Sequence, residues 1–89
     1  MKGVITVVGK DKVGIIGKVC TLLSEENVNI LDISQTILQG YFNMMMIVDL
    51  GATETEFTQI VDKLSELGKN IEVDIKLQHE DIFNSMHRI

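Results

Sequence analysis

The sequence predicts an α+β fold of the ferredoxin-like kind, a four-stranded antiparallel sheet with two helices on one face. Three observations lead there. Strand-like and helix-like segments follow one another in the order β, α, β, β, α, β, which is the split βαβ arrangement. Right-handed crossovers then put both helices on the same face. That topology sets the first and third strands in the middle, and these two segments are apolar on both faces.

Each element has its own signal. Lys2 to Gly9, KGVITVVG, is rich in β-branched residues and ends at glycine, as a central strand does. Lys10, Asp11 and Lys12 make a short polar loop, with Asp11 as the expected N-cap of the first helix. From Val13 to Glu26 the period changes. Ile16, Val19, Cys20 and Leu23 fall at helical spacing, and Ile15 and Leu22 widen the stripe. Gly14 and Gly17 stand in the first turns, where glycine costs about 1 kcal/mol relative to alanine. Asn27 ends this helix.

The second strand is Asn29 to Leu38 and the third Tyr41 to Leu50, joined by a tight Gln39-Gly40 turn. Thr53 to Glu56 has the T-x-x-E form of a capping box. Phe57, Ile60, Val61, Leu64 and Leu67 follow at helical spacing, and Gly68 is the expected stop. The fourth strand, Ile71 to Gln78, alternates, with Ile71, Val73, Ile75 and Leu77 toward the core. In the last eleven residues, Ile82, Phe83, Met86 and Ile89 lie at a helical period. The expected organisation is one domain over residues 1–78 and an amphipathic helical tail over residues 79–89.

Two helices cover one face of a sheet. On the third strand Phe42, Met44, Met46, Val48 and Leu50 point one way, and Met45 and Ile47 the other. The uncovered face exposes an apolar patch of the sort that marks an interface. A second subunit or the tail is expected to cover it, so the chain is expected to be at least a homodimer.

Composition narrows the function. The chain has 89 residues, a net charge of −5 and 4% aromatic residues. This acidic balance argues against nucleic acid and anionic membrane surfaces as partners, since both are held through an excess of Lys and Arg. The single cysteine, Cys20, excludes an intrachain disulfide and fits a reducing compartment. Lys2 is followed by a strand-like run with no cleavage motif, so no signal peptide is expected. The apolar runs are too short for a bilayer. The cytoplasm is the expected setting. His79-Glu80 lacks the H-E-x-x-H spacing, because Phe83 stands at the second histidine position, so no metal is expected. No phosphate-cradling loop or catalytic constellation is present, and Arg88 at the far end is the sole arginine. No enzymatic activity and no cofactor are expected.

The segment VVGKDKVGII (Val7 to Ile16) resembles the first strand and first helix of ACT domains, where an Asp or Asn stands three residues before a helix-start glycine. ENVNILDISQ (Glu26 to Gln35) is similar to that family's turn into the second strand. The tail HEDIFNSMHRI resembles the ending of small ACT proteins of bacteria and archaea. The resemblance spans the whole chain. It implies a regulatory module that binds an amino-acid-like small molecule at a subunit interface and acts on an enzyme or a transcriptional response. Carried over by position, it implies that Gly9, Asp11, Val13, Gly14 and Ile15 line one wall of the site. Asn29 and Ile30 of a neighbouring subunit would supply the other. Val13 stands where Pro is frequent, and Asp11 where some amino-acid binders carry Asn.

The physics of the site agrees with that implication. A helix N-terminus offers unpaired N–H groups to a carboxylate, and Gly14 lets a ligand approach them. Asp11 suits an ammonium group and repels a carboxylate. Each residue also has a plain structural reading: Gly14 as relief of a crowded turn, Asp11 as a cap, Asn29 as a turn residue. A pure protein–protein interaction module is the alternative to a ligand sensor.

Overall fold

The computed structural model describes residues 1–81. Its elements run β1 (Lys2–Lys10), α1 (Ile15–Glu25), β2 (Asn29–Leu38), β3 (Tyr41–Asp49), α2 (Phe57–Ile71) and β4 (Val73–His79). The sheet is antiparallel throughout, in the order β2-β3-β1-β4. The two strands apolar on both faces are therefore the central ones. The tail residues Ile82, Phe83, Met86 and Ile89 lie outside the described residues.

The core lies between the helices and one face of the sheet. Alternation along the strands delivers Ile5 and Val7 from β1, Phe42, Met44, Met46 and Val48 from β3, and Val73, Ile75 and Leu77 from β4. The helices answer with Ile15, Val19 and Leu23 from α1 and Ile60 and Leu64 from α2. Each such aliphatic side chain removed from water contributes about 1.5–3 kcal/mol. With so few aromatics, aliphatic residues and the buried methionines Met44 and Met46 fill the interior.

Four local expectations are corrected by the structure. Asp11 does not cap α1: the N-cap is Gly14, with φ 92° and no side-chain hydrogen bond. That left-handed backbone is the reason for glycine, since an added Cβ would meet only Lys18 Cε at 3.9 Å. The Thr53–Glu56 capping box does not form. Thr53 Oγ1 accepts instead from the Thr55 N–H at 3.2 Å, and the helix begins at Phe57 behind an extended Glu56.

Gly68 does not stop α2. It lies buried inside the helix, where a Cβ would sit 2.6 Å from the Val73 carbonyl oxygen. Glycine here lets the β4 backbone lie directly on the helix. The chain leaves α2 at Glu72, in left-handed backbone with φ 60°, so Ile71 closes the helix and does not open the strand.

Two polar contacts brace the helices. The half-buried Glu26 accepts from Thr55 Oγ1 at 2.6 Å and from Lys63 Nζ at 2.8 Å, which fastens the end of α1 to α2. These contacts, led by Lys63, hold its carboxyl below the usual value near 4.5. Lys12 pairs with Glu72, tying the β1–α1 loop to the exit of α2 and likewise lowering the Glu72 pKa.

Candidate ligand cleft at the start of the first helix

The loop from β1 to α1 is short and held at both ends. The Asp11 N–H donates to the Gly40 carbonyl at 2.8 Å, pinning the loop to the β2–β3 turn. Lys12 is held by Glu72. Gly14 then turns the chain into α1, whose first helical bond runs from the Lys18 N–H to the Gly14 carbonyl at 3.0 Å. The N–H groups of Ile15, Ile16 and Gly17 precede that bond and have no side-chain cap. They carry the positive end of the helix dipole.

Facing this helix start is the end of β2. Ile37 pairs with Phe42 and Gln35 with Met44, so Gln35 and Ile37 lie on the helix side of the sheet. Between them and α1 runs a cleft of about 160 Å³, lined by Asp11, Lys12, Gly14 to Gly17, Gln35, Ile37 and Phe42. Its chemistry is divided. The helix N-terminus is positive, and Asp11 has no ion-pair partner among the described residues. Ile15, Ile16, Ile37 and Phe42 supply an apolar floor. Gly17 lies within a helix, and an added Cβ would meet nothing within 4 Å. The chain thus bears the helix cost of glycine at a cleft wall with no internal contact that requires it.

Of the residues expected at this wall, Asp11, Gly14 and Ile15 come together here. Gly9 lies inside the sheet, between Phe42 and Val73, and a Cβ on it would stand 2.7 Å from Val73 Cγ1. Val13 is fully exposed and its side chain points to solvent. Asn29 and Ile30 occupy the other end of β2, opposite Asp49 and Val48. They line a second hollow of about 450 Å³ with Cys20, Ser24, Asn27, Val28 and Ala52. Along β2 the two ends are about 30 Å apart. Gln35 and Ile37 were not anticipated as cleft residues. Their alternation in phase with Phe42 was the available signal, once β2 is paired with β3.

Among the described residues no cluster of three metal-binding side chains forms. His79 stacks on Phe57, with ring centroids 4.0 Å apart. No described helix is long and apolar enough to cross a membrane.

Among the described residues, no strand pairs with the outer edge of β2. Nine of its ten residues are exposed and one is half-buried. Leu31, Ile33, Ile37 and Leu38 are among them, at 41–69 % exposure. Asp32 is its one charged residue. A long apolar edge of this kind is a template for pairing with another strand.

Comparison with known proteins adds four findings. The ACT domain family matches residues 3–78. A UPF0237 protein of Bifidobacterium longum is 59% identical over 88 residues, covering 99% of this chain and 98% of its own length. A UPF0237 protein of the archaeon Methanosarcina acetivorans is 43% identical over 86 residues, 97% and 94% of the two chains. The fold also superposes on an ACT domain protein from Streptococcus pneumoniae with a TM-score of 0.82, at 42% identity over 93% of each chain.

Proposed function

The chain belongs to the ACT domain family, and from that premise we propose that it is a non-catalytic regulatory module, binding an amino acid at the interface of a homodimer. Domains of this family are regulatory, and many bind amino acids. The observation that carries the reading is the position of the cleft. Its uncapped helix start, with Gly17 open to the outside, lies beside the exposed end of β2, whose outer edge pairs with no strand among the described residues.

Antiparallel pairing of two β2 strands about a two-fold axis between Ile33 and Ser34 supports a composite site. It sets Asn29 of one subunit opposite Leu38 of the other, and Ile30 opposite Ile37. The polar Asn29 then approaches the cleft from a neighbouring chain, which a single chain cannot arrange across about 30 Å. In this reading the ligand carboxylate receives the N–H groups of Ile15 to Gly17, and the ammonium group lies toward Asp11. Asn29 adds a hydrogen bond, and Gln35 meets the ligand side chain. The dimer signals to an enzyme or another regulated protein in the cytoplasm.

A thermal-shift screen of the twenty amino acids tests this. A ligand that binds only the folded form, at a hundred times its Kd, adds about 2.7 kcal/mol of stability. Asn29→Ala should remove most of that shift while the unliganded melting temperature holds. The second reading, a protein-interaction module without a small ligand, is favoured by the same exposed β2 edge. A screen in which no amino acid shifts the melting temperature decides for it.

A further inference from the structure

We infer that the open face of the sheet carries a small-molecule site of its own, at the end nearest the β2–β3 turn. It takes a flat, uncharged heteroaromatic molecule with a hydrogen-bond donor beside an acceptor on one edge. The face opposite the helices holds a hollow of about 420 Å³, whose lining includes Val8, Thr36, Leu38, Gln39, Tyr41 and Asn43. That volume falls in the range of roughly 300–1,000 Å³ usual for small-molecule pockets. Among the described residues, no charged side chain lines it. Three of these side chains are apolar or aromatic and three are neutral hydrogen-bonding groups, the mixture that holds a ligand by its face and orients it by its edge.

Strand register builds the hollow as two rows. Val8, Asn43 and Thr36 stand side by side on β1, β3 and β2, and Tyr41 and Leu38 form the next row. Three strands and two rows make a floor of about 10 by 7 Å, which seats a fused two-ring molecule. Val8 is 48 % exposed, Tyr41 58 % and Leu38 69 %. Tyr41 is the one exposed aromatic ring among the described residues, and such a ring stacks on another flat π-system. Asn43 gives the polar signal. It stands on a central strand, where asparagine is disfavoured. Around it on this face are Tyr41 and Met45 along β3, with Val8 and Thr36 across the strands. Its side chain makes no hydrogen bond among the described residues. An asparagine amide presents an N–H donor beside a carbonyl acceptor, so it pairs with a ligand edge that carries the same two groups. A second copy laid over the face is the poorer occupant. Lys10, Asp74 and Lys76 share the face, beside Tyr41, Val8 and Thr6, and burying their charges is costly. Pairing along the β2 edge uses backbone groups in the plane of the sheet and leaves this face free.

The test titrates the isotope-labelled full chain with carbostyril, a fused two-ring lactam, and follows amide shifts by NMR. The amides of Val8, Thr36, Tyr41 and Asn43 should shift and saturate, while those of Lys18 and Glu25, on the helix side, stay in place. The N-methyl derivative keeps the rings and the carbonyl but loses the donor, and should bind about fivefold more weakly. Asn43→Leu should weaken carbostyril by about the same factor and leave the N-methyl derivative unchanged. Tyr41→Ala should weaken both probes alike, about fivefold or more. Both residues are exposed, and the spectra of the free variants report that they fold. Three results would overturn the inference. The first is the absence of saturable shifts at the hollow. The second is an Asn43→Leu protein that binds the two probes in the same ratio as the parent. The third is a Tyr41→Ala protein of lower sedimenting mass than the parent, which would assign the face to a second copy of the chain.

Discussion

Gly68→Ala should destabilise the protein, against the ordinary rule for a helix interior. Alanine in place of glycine gains about 1 kcal/mol of helix propensity. The structure opposes that gain with a close contact. The new Cβ stands 2.6 Å from the Val73 carbonyl oxygen and 3.3 Å from Ile75 Cγ1. A carbon and a carbonyl oxygen approach no nearer than about 3.3 Å, so α2 and β4 must part by about 0.7 Å. The oxygen is backbone, fixed where β4 begins, and has no rotamer by which to yield. Overpacking of this kind costs about 1–3 kcal/mol, here toward the upper end. The net loss is about 1–2 kcal/mol. For a domain of this size each kcal/mol moves the melting temperature by about 4–8 °C. Gly17→Ala is the matched control. It lies in α1, with open space at the Cβ position, and should raise stability by up to about 1 kcal/mol. Circular-dichroism melts and urea titrations of both variants read the two signs. A Gly68→Ala protein that melts at or above the parent would refute the close-packing account of α2 on β4.

Sedimentation equilibrium at micromolar concentration should show at least a dimer, and Leu31→Lys with Ile37→Lys should shift it toward monomer by placing charges along the β2 edge. A parent protein that sediments only as a monomer near 10 kDa, the mass of one chain, excludes a β2-paired site. Glu26 should contribute to acid sensitivity, because its folded pKa lies below its unfolded value near 4.5. The stabilisation is fully present above the unfolded value and is lost as pH falls through the folded one. Glu26→Gln should therefore lower stability at neutral pH and flatten the acid limb of a stability–pH curve. An unchanged limb would show that Thr55 and Lys63 add nothing in solution.

The elements of this fold were legible because each depends on a short periodic pattern. Alternation in β3 announced which of Phe42, Met44, Met46 and Val48 face inward. The 3.6-residue stripe of Ile60 and Leu64 announced α2. A side chain's face is set by its immediate neighbours in sequence, and burial of one face follows. The helix boundaries were less legible. Gly68 has the look of a terminator, yet its role is to admit the β4 backbone, a contact that sequence order does not display. Thr53 and Glu56 have capping-box spacing, yet the helix waits for Phe57, which lies against His79.

The candidate site divides in the same way. The glycine in the first turn of α1, the acidic Asp11 before it and the polar Asn29 are local features that the sequence by itself determined, whereas the structure moved the N-cap from Asp11 to Gly14. Only the tertiary structure decided that Gln35 and Ile37 complete the cleft. Only the structure also set Asn29 at the opposite end of β2 from Asp11. The physical reason is that backbone pairing fixes register between strands far apart in the chain. The distance between two residues on different elements is a property of that register, which no local pattern encodes.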